Sequence, residues 1–320
     1  MPDTQNVQEN KLIAFIITAY NLTGKMLEEC LNSIVELSLR PEEREIILVD
    51  DGSAVSPLLE LAKFADDIVY IRQPNKGLSA ARNAGLRMAT AKYVHFIDGD
   101  DYLIRVPYEH CADIVRYENP DIVLFNQPDC TRVTPPFSVV GPATGSEYMG
   151  KHNISVTAWS YIFRRDKLGS LCFEPGLLHE DEQFTPQLLL RCERVFATDC
   201  RAYFYRARAN SLTRSKDIHH HIKRLADIER TIYYFQSMLG SLPDASRKAL
   251  ERRIAQLTMD FLYNTIKLTH SSSRLDEAIS RLTARGLFPL PDKHYTRNYT
   301  FFRKAINSSV GRKLLVLMCR

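Results

Sequence analysis

The sequence predicts an α/β fold, with a mostly parallel, doubly wound open sheet followed by a helical carboxyl-terminal region. In the first half, strand-length runs of Ile, Val, Leu and Phe alternate with segments of helical period. Runs that are apolar on both faces are typical of parallel strands covered by helices, and their alternation with helices is typical of a doubly wound sheet. Beyond residue 216 only helical patterns remain. We therefore predict a first domain at 1–215 and a helical region at 216–320.

Each element follows from its local pattern. Helices are predicted over 24–38 and 78–90, where apolar residues recur every three or four positions. Residues 128–150 are rich in Pro, Gly and Thr and predict an irregular connection. In the helical region, one apolar stripe is spaced by four, three and four residues: Leu250, Ile254, Leu257 and Phe261. The predicted strands are the apolar runs at 12–20, 45–50, 67–73, 93–98 and 121–127.

The composition is that of a globular protein, with 45% hydrophobic and 25% charged residues in a chain of 320. The first residues are polar and lack the basic-then-apolar pattern of a signal peptide. No apolar run approaches the ~20 residues that span a bilayer. Seven scattered cysteines without a CxxC pair favour reduced thiols over a zinc site. The expected location is cytoplasmic.

The positive charge is concentrated in the tail. Residues 293–320 contain seven Lys and Arg and no acidic residue, so a chain of net charge +4 carries −3 elsewhere. An amphipathic basic helix there can contact the inner face of an anionic membrane, or it can pack on the preceding helices. Nucleic acid is disfavoured as a partner, because the predicted pocket is acidic and the basic residues lie only in the tail.

Polar segments follow four of the predicted strands, and the carboxyl ends of parallel strands form the ligand-binding edge of such sheets. The segments are TAYN (18–21), DDGS (50–53), QPNKG (73–77) and DGDD (98–101). Two carboxylates in the spacing Asp98-Gly-Asp100 can hold a hard divalent ion, Mg²⁺ or Mn²⁺. The alternative for this motif is an acidic turn in solvent.

Two neighbouring motifs also allow two interpretations each. Asp50 and Asp51 suit a hydrogen bond to a nucleoside, whereas a phospho-acceptor site of the receiver type would need a lysine that the run at 121–127 does not supply. In NKGLSAARNAG (75–85), a glycine turn precedes a helix with Arg82 in its first turns, which suits a diphosphate. The alternative is a plain packing helix.

Together, IITAYN, LVDDGS, NKGLSAARNAG and FIDGDD, in this order and spacing, resemble the family 2 glycosyltransferases of the GT-A fold, a Rossmann-like nucleotide-sugar-binding fold. The resemblance implies inverting sugar transfer with a divalent metal, of the kind found in bacterial polysaccharide synthesis. It implies that Asp100 ligates the metal, whereas Asp101 is either a second acid of the motif or a turn ligand. The donor-binding residues that it implies are Thr18, Ala19, Tyr20, Asp51, Arg82 and Asp98.

A second acidic cluster, HEDEQF (179–184), lies about eighty residues further on. The resemblance implies that Asp181 is the general base, although consecutive acids also favour a helix start. His179 and Glu180 are candidate acceptor contacts, and Trp159 is either a sugar platform or a core aromatic. Three residues of the segment 203–215 are candidates to close over the diphosphate: Arg206, Arg208 and Ser211.

The sequence therefore predicts transfer of a sugar from a nucleotide-diphosphate donor, expected to be a UDP-sugar, to a hydroxyl of a glycan or lipid-linked glycan. Mn²⁺ or Mg²⁺ is the expected cofactor. Two alternatives remain open: a polyprenyl-phosphate glycosyl synthase and a non-catalytic nucleotide-sugar-binding protein.

Overall fold

A computed structural model describes residues 11–127, 131–207 and 217–318 of the chain. The chain divides into two compact units. The first consists of Met1–Tyr148 and His152–Arg208, and the second of Met149–Lys151 and Ala209–Arg320.

The first unit contains a mixed, mostly parallel eight-stranded sheet and a two-stranded ribbon. The sheet strands are β1 (Ile13–Ala19), β2 (Arg44–Asp50), β3 (Ile68–Arg72), β4 (Tyr93–Asp98), β6 (Ile122–Leu124), β7 (Val139–Ala143), β8 (Tyr161–Arg164) and β9 (Val195–Thr198). Their order is β3-β2-β1-β4-β8-β6-β9-β7. All pairs are parallel except those of β8 with β4 and β6, and of β7 with β9. The ribbon joins β5 (Tyr102–Leu103) to β10 (Tyr203–Phe204). The predicted sheet is confirmed.

The helices of this unit are α1 (Gly24–Val35), α2 (Leu78–Met88), α3 (Arg105–Glu118) and α5 (Glu180–Leu189), together with the first turn of α4 (Gly145–Lys151). Every residue of the central strand β1 is buried. Helix α2 lies directly on this strand, because a Cβ at Gly85 would come 2.2 Å from Cγ2 of Ile16. The glycine therefore permits the close approach of α2 to the sheet.

Two local predictions need correction. The run at 67–73 does not have two buried faces, because β3 is an edge strand and Val69 is exposed. The stretch 128–150 is not wholly irregular, since its described part contains β7 and α4. Pro142 is tolerated in β7 because this is also an edge strand. Helix α4 begins with a capping box between Thr144 and Glu147, a pattern visible in the sequence.

All regular secondary structure among the described residues of the second unit is helical, as predicted. Its long helices are α6 (Ile218–Met238), α7 (Asp244–Thr269), α8 (Ser272–Ala284), α9 (Arg297–Ile306) and α10 (Ser309–Met318). The predicted apolar stripe of α7 is buried in the core of the unit. Among the described residues, no helix combines the length and apolar character needed to cross a bilayer.

Candidate active site

The four polar segments lie at one edge of the sheet, as the parallel topology predicts. In register, Ala19 is opposite Asp50, and Thr18 is opposite Asp98. The Gly99 N–H donates to the Thr18 carbonyl at 2.9 Å, which ties the acidic turn to β1. Thr18 and Ala19 are buried, whereas Tyr20 is 51% exposed at the end of the strand. An exposed ring beside two buried small residues can form one wall of a pocket.

Asp50 stabilises the turn after β2. Its carboxylate accepts hydrogen bonds from the Ser53 N–H at 2.9 Å and the Tyr70 hydroxyl at 2.8 Å, and Arg72 lies 3.4 Å away. Burial disfavours the charged form, but these hydrogen bonds and the guanidinium outweigh burial, so the pKa of Asp50 lies below its ordinary value. Asp50 is therefore an ionised structural residue.

Asp51 organises the loop that leads into α2. It accepts hydrogen bonds from the Gln73 amide at 2.7 Å and from the N–H groups of Lys76 at 2.9 Å and Gly77 at 2.8 Å. Gly77 has a φ of +84°, which favours glycine. An ionised carboxylate has about four acceptor positions, and the loop uses three of them. Binding of uracil by Asp51 remains a prediction.

Arg82 connects the two acidic clusters. It is 3% exposed, donates to Asp98 at 3.0 Å and also donates to Glu180. The rings of Phe96 and Phe173 lie within 6 Å of its guanidinium carbon. Burial by itself would lower the pKa of this guanidinium, but the nearby carboxylates outweigh burial and raise it. The predicted arginine is thus at the site, as a buried cation between carboxylates.

Three carboxylates crowd the turn after β4. Burial raises the pKa of the Cys30 thiol, and the negative charge of three nearby acids raises it further: Asp101, Asp100 and Asp98. Burial raises the pKa of Asp101 to about 7. A hydrogen bond from the Arg206 N–H opposes this rise, and the charge of the neighbouring acids Asp98 and Asp100 adds to it. This concentration of oxygen ligands and negative charge fits a hard divalent cation. Among the described residues, no three His, Cys, Asp or Glu side chains form a preassembled metal centre.

Asp101 is a turn ligand in this structure. It is buried and accepts hydrogen bonds from the Tyr203 hydroxyl and the Arg206 N–H, both at 2.7 Å. The Arg206 side chain donates to the Asp100 carbonyl at 2.8 Å and pairs with Glu29. Arg206 therefore lies at the acidic turn, as expected for a residue near the diphosphate. Arg208 and Ser211 lie outside the described residues.

Trp159 packs on the same turn, since its ring stacks on Tyr203 with centroids 4.5 Å apart and planes at 12°. Its carbonyl accepts a hydrogen bond from Nε2 of the buried His95, whose Nδ1 then accepts from the Tyr108 hydroxyl. Burial lowers the pKa of His95 to about 4, so the imidazole is neutral. The partly buried tryptophan is thus tied into the core on one side.

The second acidic cluster begins α5. His179 has a left-handed backbone (φ 57°) immediately before the helix, and Glu180 is 7% exposed against Arg82. The next residue, Asp181, is partly exposed. Burial among protein atoms and the neighbouring charge of Glu180 raise the pKa of Asp181 well above its ordinary value, although Arg82 opposes this. A carboxylate with a raised pKa can act as a general base near neutral pH.

Sequence reasoning missed two residues that hold this site together. Tyr203 links the acidic turn to Trp159, and it accepts a hydrogen bond from the Asp98 N–H at 3.0 Å. Asn126, at a positive φ of 49°, accepts from the Tyr203 N–H at 3.0 Å. Its place directly after an apolar strand was the available indication, since Asn tolerates the left-handed conformation.

The fold is of the GT-A class, and comparisons with known proteins agree. Residues 14–167 match the model of glycosyl transferase family 2. The glycosyltransferase EpsJ of Bacillus subtilis is 30% identical over 219 residues, which are 63% of each chain. Over residues 14–167 the chain is therefore similar to the family 2 glycosyltransferases. It spans just under two thirds of the length of EpsJ.

Two solved structures share the fold at low identity. TarS 1–349 of Staphylococcus aureus, in complex with UDP-GlcNAc, has a TM-score of 0.59 and 18% identity, covering 92% of this chain and 90% of that one. The mannosyltransferase PcManGT of Pyrobaculum calidifontis, in complex with GDP-Man and Mn²⁺, has a TM-score of 0.55 and 15% identity, covering 96% and 87%. The GT-A assignment is confirmed.

Proposed function

We propose that the chain is an inverting glycosyltransferase that moves a sugar from a UDP-sugar to a hydroxyl of a glycan or lipid-linked glycan. One observation carries the proposal: Arg82 binds Asp98 of the first acidic cluster and Glu180 of the second. Asp181 directly follows Glu180 and interacts electrostatically with the same guanidinium, so the predicted donor contact and the predicted base lie beside one cation. The choice of UDP is supported by the UDP-GlcNAc complex of TarS.

Asp181 is the proposed general base. It takes the proton of the acceptor hydroxyl as that oxygen attacks the anomeric carbon, and the bond from this carbon to the diphosphate oxygen breaks on the opposite face. The raised pKa suits this role, because it makes the carboxylate a stronger base than an ordinary aspartate. Partial exposure leaves the carboxylate accessible to an acceptor. Such a base contributes roughly 10²–10⁴-fold to the rate.

Asp100, with Asp98 beside it, is proposed to hold Mg²⁺ or Mn²⁺. The fit rests on the oxygen-only ligands and on the crowding of three carboxylates, whose negative charge adds to burial in raising the pKa of Cys30. Mg²⁺ commonly uses one or two carboxylates together with substrate phosphates. When bound, the ion stabilises negative charge on the leaving diphosphate. Arg206, held at this turn, adds a positive charge close to the same place.

The remaining predicted residues are proposed to bind the donor or the acceptor. Thr18, Ala19 and Tyr20 line the nucleoside pocket, and Asp51 hydrogen-bonds the base with the acceptor position that its loop leaves. His179 precedes the proposed base by two residues and is an acceptor contact. We propose that the protein works at the cytoplasmic face of a membrane, where lipid-linked acceptors are found.

The test is release of UDP or GDP from a panel of nucleotide-sugars with Mn²⁺, using glycan, glycolipid and polyprenyl-phosphate acceptors. Wild type is expected to turn over a UDP-sugar, and Asp181→Asn is expected to lose at least about 100-fold in turnover with little change in donor affinity. Asp166→Asn is the matched control, because Asp166 is an exposed carboxylate near the opposite end of β4.

The outcomes separate the alternatives. Tight UDP binding without turnover of any donor would mean a nucleotide-sugar-binding protein. Turnover only with polyprenyl phosphate would mean a synthase. Full activity of Asp181→Asn would show that another group takes the proton.

A further inference from the structure

The outer face of α10 carries an exposed apolar stripe. Val310, Leu314 and Leu317 are 67%, 54% and 64% exposed, and their spacing of four and three residues places them on one side of the helix. Met318, next to Leu317, is also exposed. Large apolar side chains grouped in this way mark an interaction surface more often than single exposed ones do.

The opposite face fixes the orientation of α10. Val316 is buried, and a Cβ at Gly311 would lie 2.2 Å from the carbonyl oxygen of Ala305 in α9. This close contact, which the glycine permits, packs the start of α10 against the end of α9. The helix thus has one face buried in its own unit and the other exposed. The expectation that the tail packs on the helical region holds for one face only.

A lysine lies on the same face as the apolar stripe, and further basic residues are close to it in the sequence. Lys313 shares the face with Leu314, and Arg312 and Lys304 are close in sequence. Arg303 is buried and pairs with Asp292, so it is already compensated inside the unit. No acidic residue occurs between 293 and 320. Within residues 293–320 the formal charge is therefore positive.

We propose that this surface, which we call the docking face (Val310, Lys313, Leu314, Leu317 and Met318), binds the surface of an anionic lipid bilayer. A helix with large apolar residues on one side and lysine beside them inserts at the boundary of headgroups and acyl chains. A second copy of the chain is a poorer occupant, because a symmetric pair would bring the same basic residues together. The inference rests on the proposed function for its purpose, which is to hold the enzyme where a lipid-linked acceptor lies.

The test is co-sedimentation of the full chain with vesicles of phosphatidylcholine, with and without phosphatidylglycerol. Wild type is expected to bind only the anionic vesicles, and less so at high salt. Leu314→Glu is expected to weaken binding by at least tenfold. Lys313→Glu is expected to weaken it by about 25-fold, at about fivefold for each unit of charge.

Ile222→Glu is the matched control, because Ile222 is an equally exposed apolar residue (59%) on α6 of the same unit. It should bind as wild type does, as should Lys313→Arg. Circular dichroism of each variant checks that it folds.

Three results would overturn the inference: no binding of wild type to anionic vesicles, equal binding of Leu314→Glu and Ile222→Glu, or a wild-type dimer that Leu314→Glu dissociates. UDP release measured on the same samples keeps this question separate from the proposed chemistry. If a docking-face variant loses vesicle binding but releases UDP as wild type does, the result bears on the docking face and not on the proposed chemistry. If wild type binds vesicles but releases no UDP, the proposed function is wrong and the docking face is unaffected.

Discussion

Removing the Arg82 guanidinium should strongly destabilise the first unit. In Arg82→Met, Glu180 stays buried without its cation, and Asp98 loses its partner as well. Breaking a buried ion pair by deleting one member costs about 3–5 kcal/mol, because the other charge is left uncompensated. The Asp98 side chain is a quarter exposed, so water can solvate it. Most of the loss should therefore come from Glu180.

A double-mutant cycle tests this assignment. Glu180→Gln in the Arg82→Met background removes the stranded charge, so it should recover part of the lost stability, with a coupling of about 1–3 kcal/mol. Urea unfolding followed by tryptophan fluorescence reports on the first unit, because Trp159 is the sole tryptophan and lies there. Arg105→Met is the control, since Arg105 forms an exposed pair with Glu109 and should cost less than about 1 kcal/mol. The reasoning would be refuted if the changes in unfolding free energy of Arg82→Met and Glu180→Gln were additive. It would also be refuted if Arg82→Met lowered the unfolding free energy no more than Arg105→Met does.

Three further predictions concern pH and metal. On the acidic side of the kcat–pH profile, the midpoint of the fall in kcat should lie well above the ordinary pKa of an aspartate, because burial and the charge of Glu180 favour the protonated form of Asp181. A midpoint near pH 4 would contradict this. Asp100→Asn should weaken UDP binding, measured by calorimetry, by about tenfold in the presence of Mn²⁺ but not in excess EDTA. An equal loss of affinity under both conditions would show that Asp100 does not bind the metal. The contribution of His95 to stability should fall as pH decreases from about 6.5 to about 4, because His95, whose pKa is lowered to about 4, gains a proton on unfolding in that window; the raised pKa of Asp101 contributes in the opposite direction. His95→Gln should flatten this dependence by about 3 kcal/mol in urea titrations at several pH values, and parallel curves would disprove it.

The fold was predictable because the features that determine it are local in sequence. The runs that form β1, β2 and β4 are apolar on both faces, and the structure buries both faces. Parallel strands place their carboxyl ends together, so the meeting of the four polar segments followed from topology alone. The β3 run was misjudged because its composition resembles that of a central strand, whereas its position at the edge depends on the order of strands.

The partners within the site were not predictable in the same way. Arg82 is 98 residues from Glu180, and Asp101 is 102 residues from Tyr203. Sequence patterns report spacing along one element, whereas these contacts depend on where α5 and β10 return to the sheet edge. An arginine in the first turns of a helix pointed to a phosphate, yet its nearest partners are carboxylates of the protein itself. These internal contacts determine which groups can still bind a ligand.

The acids at the sheet edge accordingly divide into two sets by what their oxygens contact. Asp50, Asp51 and Asp101 accept hydrogen bonds from loop N–H and hydroxyl groups, so each fixes a turn. Asp98 and Asp181 retain exposed surface, and both lie near one buried cation. Burial first, and then the charge of neighbouring carboxylates, raise the pKa of Asp101 and of Asp181, so the negative charge that a single guanidinium leaves unbalanced adds to the cost of burial. A divalent ion would reduce this imbalance at the acidic turn, and a proton taken from an acceptor would reduce it at Asp181, so the unfavourable electrostatics of the free protein favours both proposed steps.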